Sequence, residues 1–98
     1  MEDNFLLYEL YSVYGELLTE NQRETIEDYF GLDLSLGEIA EMRGVSRQAI
    51  KYTLDNAEKA LKEYENKLGF LKKISQVKEL ECSDNLFKSN VLKILEDR

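Results

Sequence analysis

The stretch SLGEIAEMRGVSRQAIKYTL, residues 35–54, predicts two short helices joined by a tight turn. Ser35 is followed three residues later by Glu38, which is the pattern of a capping box at a helix start. Gly44 stands where the chain must leave that helix, because glycine takes a left-handed conformation at little cost. Ser46 is a good N-cap for the second helix. This arrangement is typical of a helix-turn-helix, whose second helix can enter a DNA major groove.

Apolar residues in the same stretch predict how the two helices pack. Ile39 and Ala40 form the inward face of the first helix, and the small Ala40 permits a close crossing. Val45 is expected to fill the gap between the helices. Ile50 and Leu54 lie one turn apart and are expected to face inward.

The second helix of this unit extends well beyond Leu54. Apolar residues continue in alternating steps of four and three, which is a heptad-like pattern. They are Ile50, Leu54, Ala57, Leu61, Tyr64 and Leu68. We expect one helix from Arg47 to about Leu68, with Gly69 as its C-terminal stop. The pattern fits either pairing between two subunits or packing against other helices of the same chain.

Two more helices precede the helix-turn-helix unit at about residues 35–54. Residues 3–18 are rich in leucine and tyrosine and predict the first helix. Its apolar residues cover more than one stripe, so we expect it to contact the C-terminal helices or a second subunit. Thr19 and Gln22 form a capping box for the second helix. That helix is expected to run to Phe30 and end at Gly31.

The C-terminal helices are predicted over about residues 70–97. The first runs from Phe70 to about Glu81, and Ser83 or Asp84 caps the last one. Their expected inward residues are Leu71, Ile74, Val77, Leu80, Phe87, Val91, Ile94 and Leu95. Neither strand-like alternation nor a wing follows the recognition helix. The sequence therefore predicts an all-α bundle of five to six helices with a long recognition helix, forming a single domain over residues 1–98.

The charge of the chain is uneven. The formal net charge is −7, and residues 1–34 hold nine acidic residues against one basic residue, Arg23. Residues 35–64 balance five against five, and residues 65–98 carry six acidic and seven basic residues. Because phosphate neutralisation supplies most non-specific DNA affinity, the acidic third must face away from any bound DNA.

The candidate DNA-binding residues follow from the inward positions of the recognition helix. Arg47, Gln48, Lys51 and Tyr52 project away from Ile50 and Leu54, together with Asp55. Arginine can pair with guanine and glutamine with adenine in the major groove. Lys51 and Arg43 suit phosphates, and the free N–H groups near Ser46 favour an anion. Tyr52 can bind a phosphate or pack on a thymine methyl group, whereas Asp55 would repel phosphate. The same basic residues are also what any exposed helix carries.

Several classes of protein are disfavoured by the composition. The chain has no histidine and no HExxH, CxxC or phosphate-binding glycine motif, so we expect no enzyme, no metal site and no cofactor. No run approaches the roughly 20 apolar residues of a membrane span. The acidic N-terminus does not resemble a secretory signal. A single cysteine, Cys82, cannot form an internal disulfide, which fits a cytoplasmic location.

Three segments resemble the fourth region of bacterial sigma factors, which binds the −35 promoter element. They are LTENQRE at residues 18–24, SLGEIAE at residues 35–41 and GVSRQAI at residues 44–50. The stretches YGELLT (14–19) and EYENKLGFL (63–71) are more similar still to the YlxM family of small bacterial helix-turn-helix proteins. The resemblance covers about residues 5–75. It implies a sigma-region-4-like fold in a cytoplasmic bacterial protein, with Ser46, Arg47, Gln48, Lys51 and Tyr52 facing DNA.

The YlxM resemblance also implies a role linked to the signal recognition particle, because such genes commonly lie beside those of that pathway. The chain lacks the regions with which a full sigma factor melts DNA and holds polymerase. We therefore hold two hypotheses. The first is a DNA-binding transcriptional regulator, with double-stranded DNA as partner and a homodimer as its assembly. The second is an interaction module for protein-targeting components, in which the acidic N-terminal helices bind a basic protein or ribonucleoprotein.

Overall fold

The chain is organised around its longest helix, as seen in a computed structural model that describes residues 4–80 and 85–96. Within that part of the chain there are six α-helices and no strands, so the predicted all-α helix-turn-helix bundle is confirmed. The helices are α1 (Asn4–Tyr14), α2 (Glu20–Ile26), α3 (Leu36–Arg43), α4 (Arg47–Leu68), α5 (Phe70–Glu79) and α6 (Asn85–Glu96).

The long recognition helix α4 begins and ends where the sequence predicts. Ser46 caps it, and Gly69 ends it with a φ of 65°, the left-handed conformation that glycine adopts most easily. Residues Ile50, Leu54, Ala57 and Leu61 of its apolar pattern are buried, whereas Leu68 is exposed. Because α4 packs against α1, α2 and α3, this part of the pattern packs within the chain.

A single apolar core joins the first four helices. Its buried residues are Leu7, Leu10, Tyr14, Leu18, Ile26, Ile39, Ala40, Ile50, Leu54, Ala57 and Leu61. Each fully buried leucine or isoleucine contributes about 1.5–3 kcal/mol of transfer free energy, so these residues supply most of the driving force for folding. This core holds α3 and the first turns of α4 in the relative position that defines the helix-turn-helix.

The first helix is shorter than predicted. The α-helix ends at Tyr14, and residues Gly15–Leu17 form a 3₁₀ turn in place of a continuous helix to residue 18. A Cβ at Gly15 would lie 2.9 Å from Cε1 of Tyr11, so any other residue at this position would force the Tyr11 ring to shift. Glycine is a weak helix former, which explains why the helix changes form here.

The second helix begins as predicted and then changes form. Thr19 and Gln22 make the expected capping box. After Ile26 the chain continues as a π-helical turn, Glu27–Gly31, in which the amide of Leu32 donates to the carbonyl of Glu27 at 3.0 Å. Tyr29 and Phe30 are partly buried there and meet edge to face, with ring centroids 4.9 Å apart.

The C-terminal helices differ most from prediction. Helix α5 ends at Glu79, and its expected inward residue Leu80 is extended and exposed. The prediction that Phe87, Ile94 and Leu95 of α6 face inward is also wrong, because all three side chains are exposed. Among the described helices, α6 packs mainly on α5. The predicted caps Ser83 and Asp84, like Glu81, lie outside the described residues.

Candidate nucleic-acid interface

The turn between α3 and α4 is fixed by local hydrogen bonds. The amide of Val45 donates to the carbonyl of Ala40 at 3.0 Å, and that of Gly44 donates to Glu41 at 3.3 Å. This is the Schellman pattern, and Gly44 has the left-handed φ of 67° that it requires. Val45 is 47% exposed, so the prediction that it fills the gap between the helices is wrong. The backbone pattern alone is sufficient to turn the chain.

Both helices of the unit carry the predicted caps. The amide of Glu38 donates to the Ser35 hydroxyl, and the amide of Ser35 donates to the Glu38 carboxylate, each at 3.0 Å. These hydrogen bonds lower the pKa of Glu38, the backbone bond from Ser35 most strongly. On α4, the amide of Ala49 donates to the Ser46 hydroxyl at 3.0 Å. Local hydrogen bonds therefore fix the residue at which each of the two helices begins.

The first two turns of α4 present the predicted residues together on the solvent side. Ile50 and Leu54 are buried in the core that α4 shares with α3 and α2, so Gln48, Lys51 and Tyr52 project from the opposite side of the helix. Ser46 and Arg47 lie four and three residues before Ile50, and they stand at the start of the helix. All five residues are exposed. We call these five residues the reading face. Tyr52 is 70% exposed, so its ring does not pack in the core and is accessible to a binding partner.

Arg43 occupies a different environment from the reading face. One guanidinium nitrogen lies 2.6 Å from the Asp28 carboxylate, and the other donates to the Thr25 hydroxyl at 2.5 Å and to the Asn21 amide oxygen at 3.4 Å. The side chains of Arg43 and Asp28 are each only 20% exposed. A phosphate could recruit Arg43 only by breaking these bonds. The structure thus uses this residue to tie α3 to α2.

The charge on the reading face is modest. Lys51 lies 3.5 Å from the Asp55 carboxylate, one turn further along α4, and both side chains are exposed. Arg47 makes no ion pair with any described residue. The amides of Arg47 and Gln48 belong to the first turn of α4, where N–H groups have no partner within the helix. Two side-chain cations and the positive end of a 22-residue helix are therefore available to an anion.

Tyr14 and Glu65 are important residues that the sequence did not reveal. The Tyr14 hydroxyl donates to the Glu65 carboxylate at 2.6 Å and accepts from the amide of Phe70 at 3.0 Å. Glu65 also accepts from the amides of Leu71 and Lys72. The only sequence signal was a carboxylate shortly before a glycine and a new helix. These bonds fix the position of α5 relative to α4, but they lie outside the reading face.

Other kinds of site find little support in the described residues. No group of three or more histidine, cysteine, aspartate or glutamate side chains among residues 4–80 and 85–96 could hold a metal ion. None of the six helices, as far as they are described, has the length and apolar character needed to cross a bilayer.

A groove of about 210 Å³ lies between α1, α5 and α6, lined by Val13, Leu71, Ile74 and Leu95 among others.

Comparison with known proteins agrees with the helix-turn-helix geometry. Residues 1–96 match the model of a family described as "Putative helix-turn-helix protein, YlxM / p13 like". A UPF0122 protein of Desulforamulus reducens is 59% identical over 63 residues, which is 64% of this chain and 54% of that protein. One from Caldanaerobacter subterraneus is 51% identical over 74% of this chain and 63% of its own length. One from Clostridium novyi is 39% identical over 99% of this chain and 92% of its own.

Proposed function

We propose that this chain, which belongs to the YlxM / p13-like family of helix-turn-helix proteins, binds double-stranded DNA and acts as a transcriptional regulator. One observation carries the proposal: the reading face is exposed as a unit at the N-terminal end of a capped recognition helix. In DNA-binding helix-turn-helix proteins this end of the second helix contacts base edges. We further propose that the protein is not an enzyme, uses no cofactor and works in the cytoplasm.

Each residue of the reading face has a distinct role in this proposal. Arg47 donates two hydrogen bonds to guanine O6 and N7, and Gln48 pairs with adenine N6 and N7. Lys51 leaves Asp55 to bind a phosphate, and Tyr52 contacts a phosphate or a thymine methyl group. Ser46 starts the helix whose free amides bind a second phosphate. Arg43 acts indirectly, because its bonds to Asp28 and Thr25 hold α3 where the recognition helix is supported.

The small number of available cations makes a quantitative statement possible. With Lys51 and the helix terminus as the phosphate-binding groups of one copy, and Arg47 on a base, about two phosphates are neutralised. The logarithm of the binding constant should then fall with the logarithm of salt concentration with a slope of about −2 per copy. Sequence preference must therefore come from Arg47 and Gln48, because so few phosphate contacts give only weak general affinity.

The direct test is a binding titration of purified protein against genomic DNA fragments that include its own promoter, at two salt concentrations. Binding to a few fragments, weakening with salt at the expected slope, supports a sequence-specific regulator. If two copies bind together, half-sites about 34 Å apart are expected. Equal affinity for every fragment, or no binding at low salt, would contradict the proposal.

A second candidate function is an interaction module for the protein-targeting machinery. The observation that favours it is an open depression of about 660 Å³ on the acidic N-terminal helices, lined by Tyr11, Gly15, Glu16, Glu20, Arg23, Glu24 and Glu27. Four carboxylates against one guanidinium suit a basic protein or ribonucleoprotein, and the family resemblance suggests a signal recognition particle component. Capture of such a component by the wild type, lost in Glu20→Lys/Glu24→Lys but kept in Arg47→Ala, would favour this function over DNA binding.

A further inference from the structure

Ala49 lies on the exposed side of the recognition helix, among the residues of the reading face. Ala49 and Gln48 lie three and four residues before Tyr52, so both are neighbours of the tyrosine on one side of α4. The Cα–Cβ bond of Tyr52 tilts toward the helix N-terminus, and thus toward the turn that carries Gln48 and Ala49. The alanine side chain is short, whereas its two neighbours are long. We call the Ala49 methyl group and the exposed Tyr52 ring the apolar slot.

Hydrogen bonds hold the backbone of Ala49 on both sides. Its amide donates to the Ser46 hydroxyl at 3.0 Å and to the Ser46 carbonyl at 3.1 Å. Its carbonyl accepts from the Thr53 hydroxyl at 3.1 Å. A surface that is already fixed in the free protein loses little conformational entropy when a partner binds. The alanine side of the apolar slot is therefore formed before any DNA arrives.

An apolar slot beside a glutamine suits one feature of the DNA major groove. Of the four bases, thymine presents an apolar group there, its C5 methyl, and alanine and aromatic side chains can contact this group. Gln48 binds an adenine in the proposed function, and Ala49 is the next residue of the helix. Burial of a methyl group requires no cation, which suits a chain with a net charge of −7 and few cations on its reading face.

We propose that the apolar slot selects a thymine within one base pair of the adenine bound by Gln48, by burying the thymine C5 methyl group against Ala49 and Tyr52. This inference rests on the proposed DNA-binding function. It adds Ala49 as a specificity-determining residue outside the reading face, and it assigns the Tyr52 ring to a base edge instead of a phosphate. Because one methyl group is buried, thymine should be preferred over uracil at this position by about fourfold.

Uracil scanning of the preferred DNA site tests the slot with the wild-type protein. Each thymine of the site is replaced in turn by uracil, which lacks only the C5 methyl group, and the affinity is measured at two salt concentrations. We expect one position near the adenine of Gln48 at which binding weakens by about fourfold. The loss should be equal at both salt concentrations, because a methyl contact releases no counterion, whereas a phosphate contact does.

Two alanine variants of α4 assign the effect to Ala49. In Ala49→Gly the methyl group of the slot is absent, so uracil and thymine should bind equally well, within about twofold, at that position. The matched control is Ala60→Gly, which removes a methyl group from the same helix about three turns away and should keep the fourfold difference (~4×). Circular dichroism must show the same helix content in the three proteins.

The outcomes separate the slot from DNA binding itself. Sequence-specific binding that no uracil weakens by more than about twofold would overturn the slot and leave the proposed function in place. A uracil effect that survives in Ala49→Gly would also overturn it, because another residue would then contact the methyl group. If no DNA fragment is bound preferentially, the proposed function fails and this inference fails with it.

Discussion

The Tyr14 hydroxyl donates to the Glu65 carboxylate at 2.6 Å and links the end of α1 to the end of α4. Burial, followed by this hydrogen bond, raises the pKa of Tyr14, so its proton stays in place at physiological pH. The same carboxylate accepts hydrogen bonds from the amides of Leu71 and Lys72, which lie in the first turn of α5. One side chain therefore connects three helices, and it caps a helix whose own N-cap is a glycine without a side chain.

Replacement of Glu65 should loosen this junction. In Glu65→Ala, the Tyr14 hydroxyl and two amides lose their acceptor, and we expect a loss of about 1–3 kcal/mol in the free energy of unfolding. Glu63→Ala is the control, because the Glu63 carboxylate forms an exposed ion pair with Lys67 on α4, and its loss should cost less than about 0.5 kcal/mol. Denaturant unfolding measures both. Equal losses in the two variants would contradict the role assigned to Glu65.

Arg43 and Arg47 should separate stability from binding. Arg43→Ala leaves the Asp28 carboxylate without its cation, so we expect a loss of about 2–3 kcal/mol in stability. Arg47→Ala removes an exposed side chain and should change stability by less than about 0.5 kcal/mol. Thermal and denaturant unfolding give both values. If Arg43→Ala is as stable as the wild type, the bonds between Arg43 and α2 contribute little to stability, and Arg43 is again a candidate for binding phosphate.

The same Arg47→Ala variant tests base recognition. If Arg47 binds a guanine, its loss should weaken binding to the preferred site by about 1–3 kcal/mol and relax the preference at one position. Lys59→Ala is the control, since Lys59 is also exposed on α4 but three turns from Arg47. Competition binding with single-base variants of the site measures both effects. An equal loss on all sequences would show that Arg47 contacts only phosphate.

The capping box at Ser35 predicts an effect of acid on stability. Because the pKa of Glu38 is lowered in the folded chain from a usual value of 4.5, its stabilising contribution is present above that value. This stabilising contribution is lost as the pH falls through the lowered pKa that Glu38 has in the folded chain. Glu38→Gln can still accept from the Ser35 amide but does not titrate, so its stability should decline less below pH 4.5. Unfolding of both proteins as a function of pH checks this; parallel curves would refute it.

Replacement by alanine should change the stability of the protein in opposite directions at Gly37 in α3 and at Gly44 in the turn that follows it. Gly44 has a φ of 67°, so Gly44→Ala forces a left-handed alanine and should cost about 1–2 kcal/mol. Gly37 lies inside α3, where an added Cβ would meet only the Ser35 hydroxyl oxygen, at 3.9 Å. Gly37→Ala should therefore stabilise the protein by up to about 1 kcal/mol. Thermal unfolding of the two variants measures the difference, and the same sign for both would contradict the assignment.

The reading face was predictable because its geometry follows from one helix. Once Ile50 and Leu54 are assigned to the core, the period of 3.6 residues places Gln48, Lys51 and Tyr52 on the opposite side. The burial of Arg43 was not predictable in this way. Its partners Thr25 and Asp28 lie 18 and 15 residues earlier, and nothing local indicates that α2 approaches α3 at that point.

The sequence by itself determined where the helices begin and end around the turn. The capping boxes at Thr19 and Ser35, the cap at Ser46 and the glycine stops at 44 and 69 all act within a few residues, so local chemistry is sufficient. Only the tertiary structure decided which apolar faces are buried. Helix α6 has the same kind of amphipathic pattern as α4, but α4 is surrounded by three helices and α6 contacts mainly one. Burial depends on how many neighbours a face meets, and distant parts of the chain set that number.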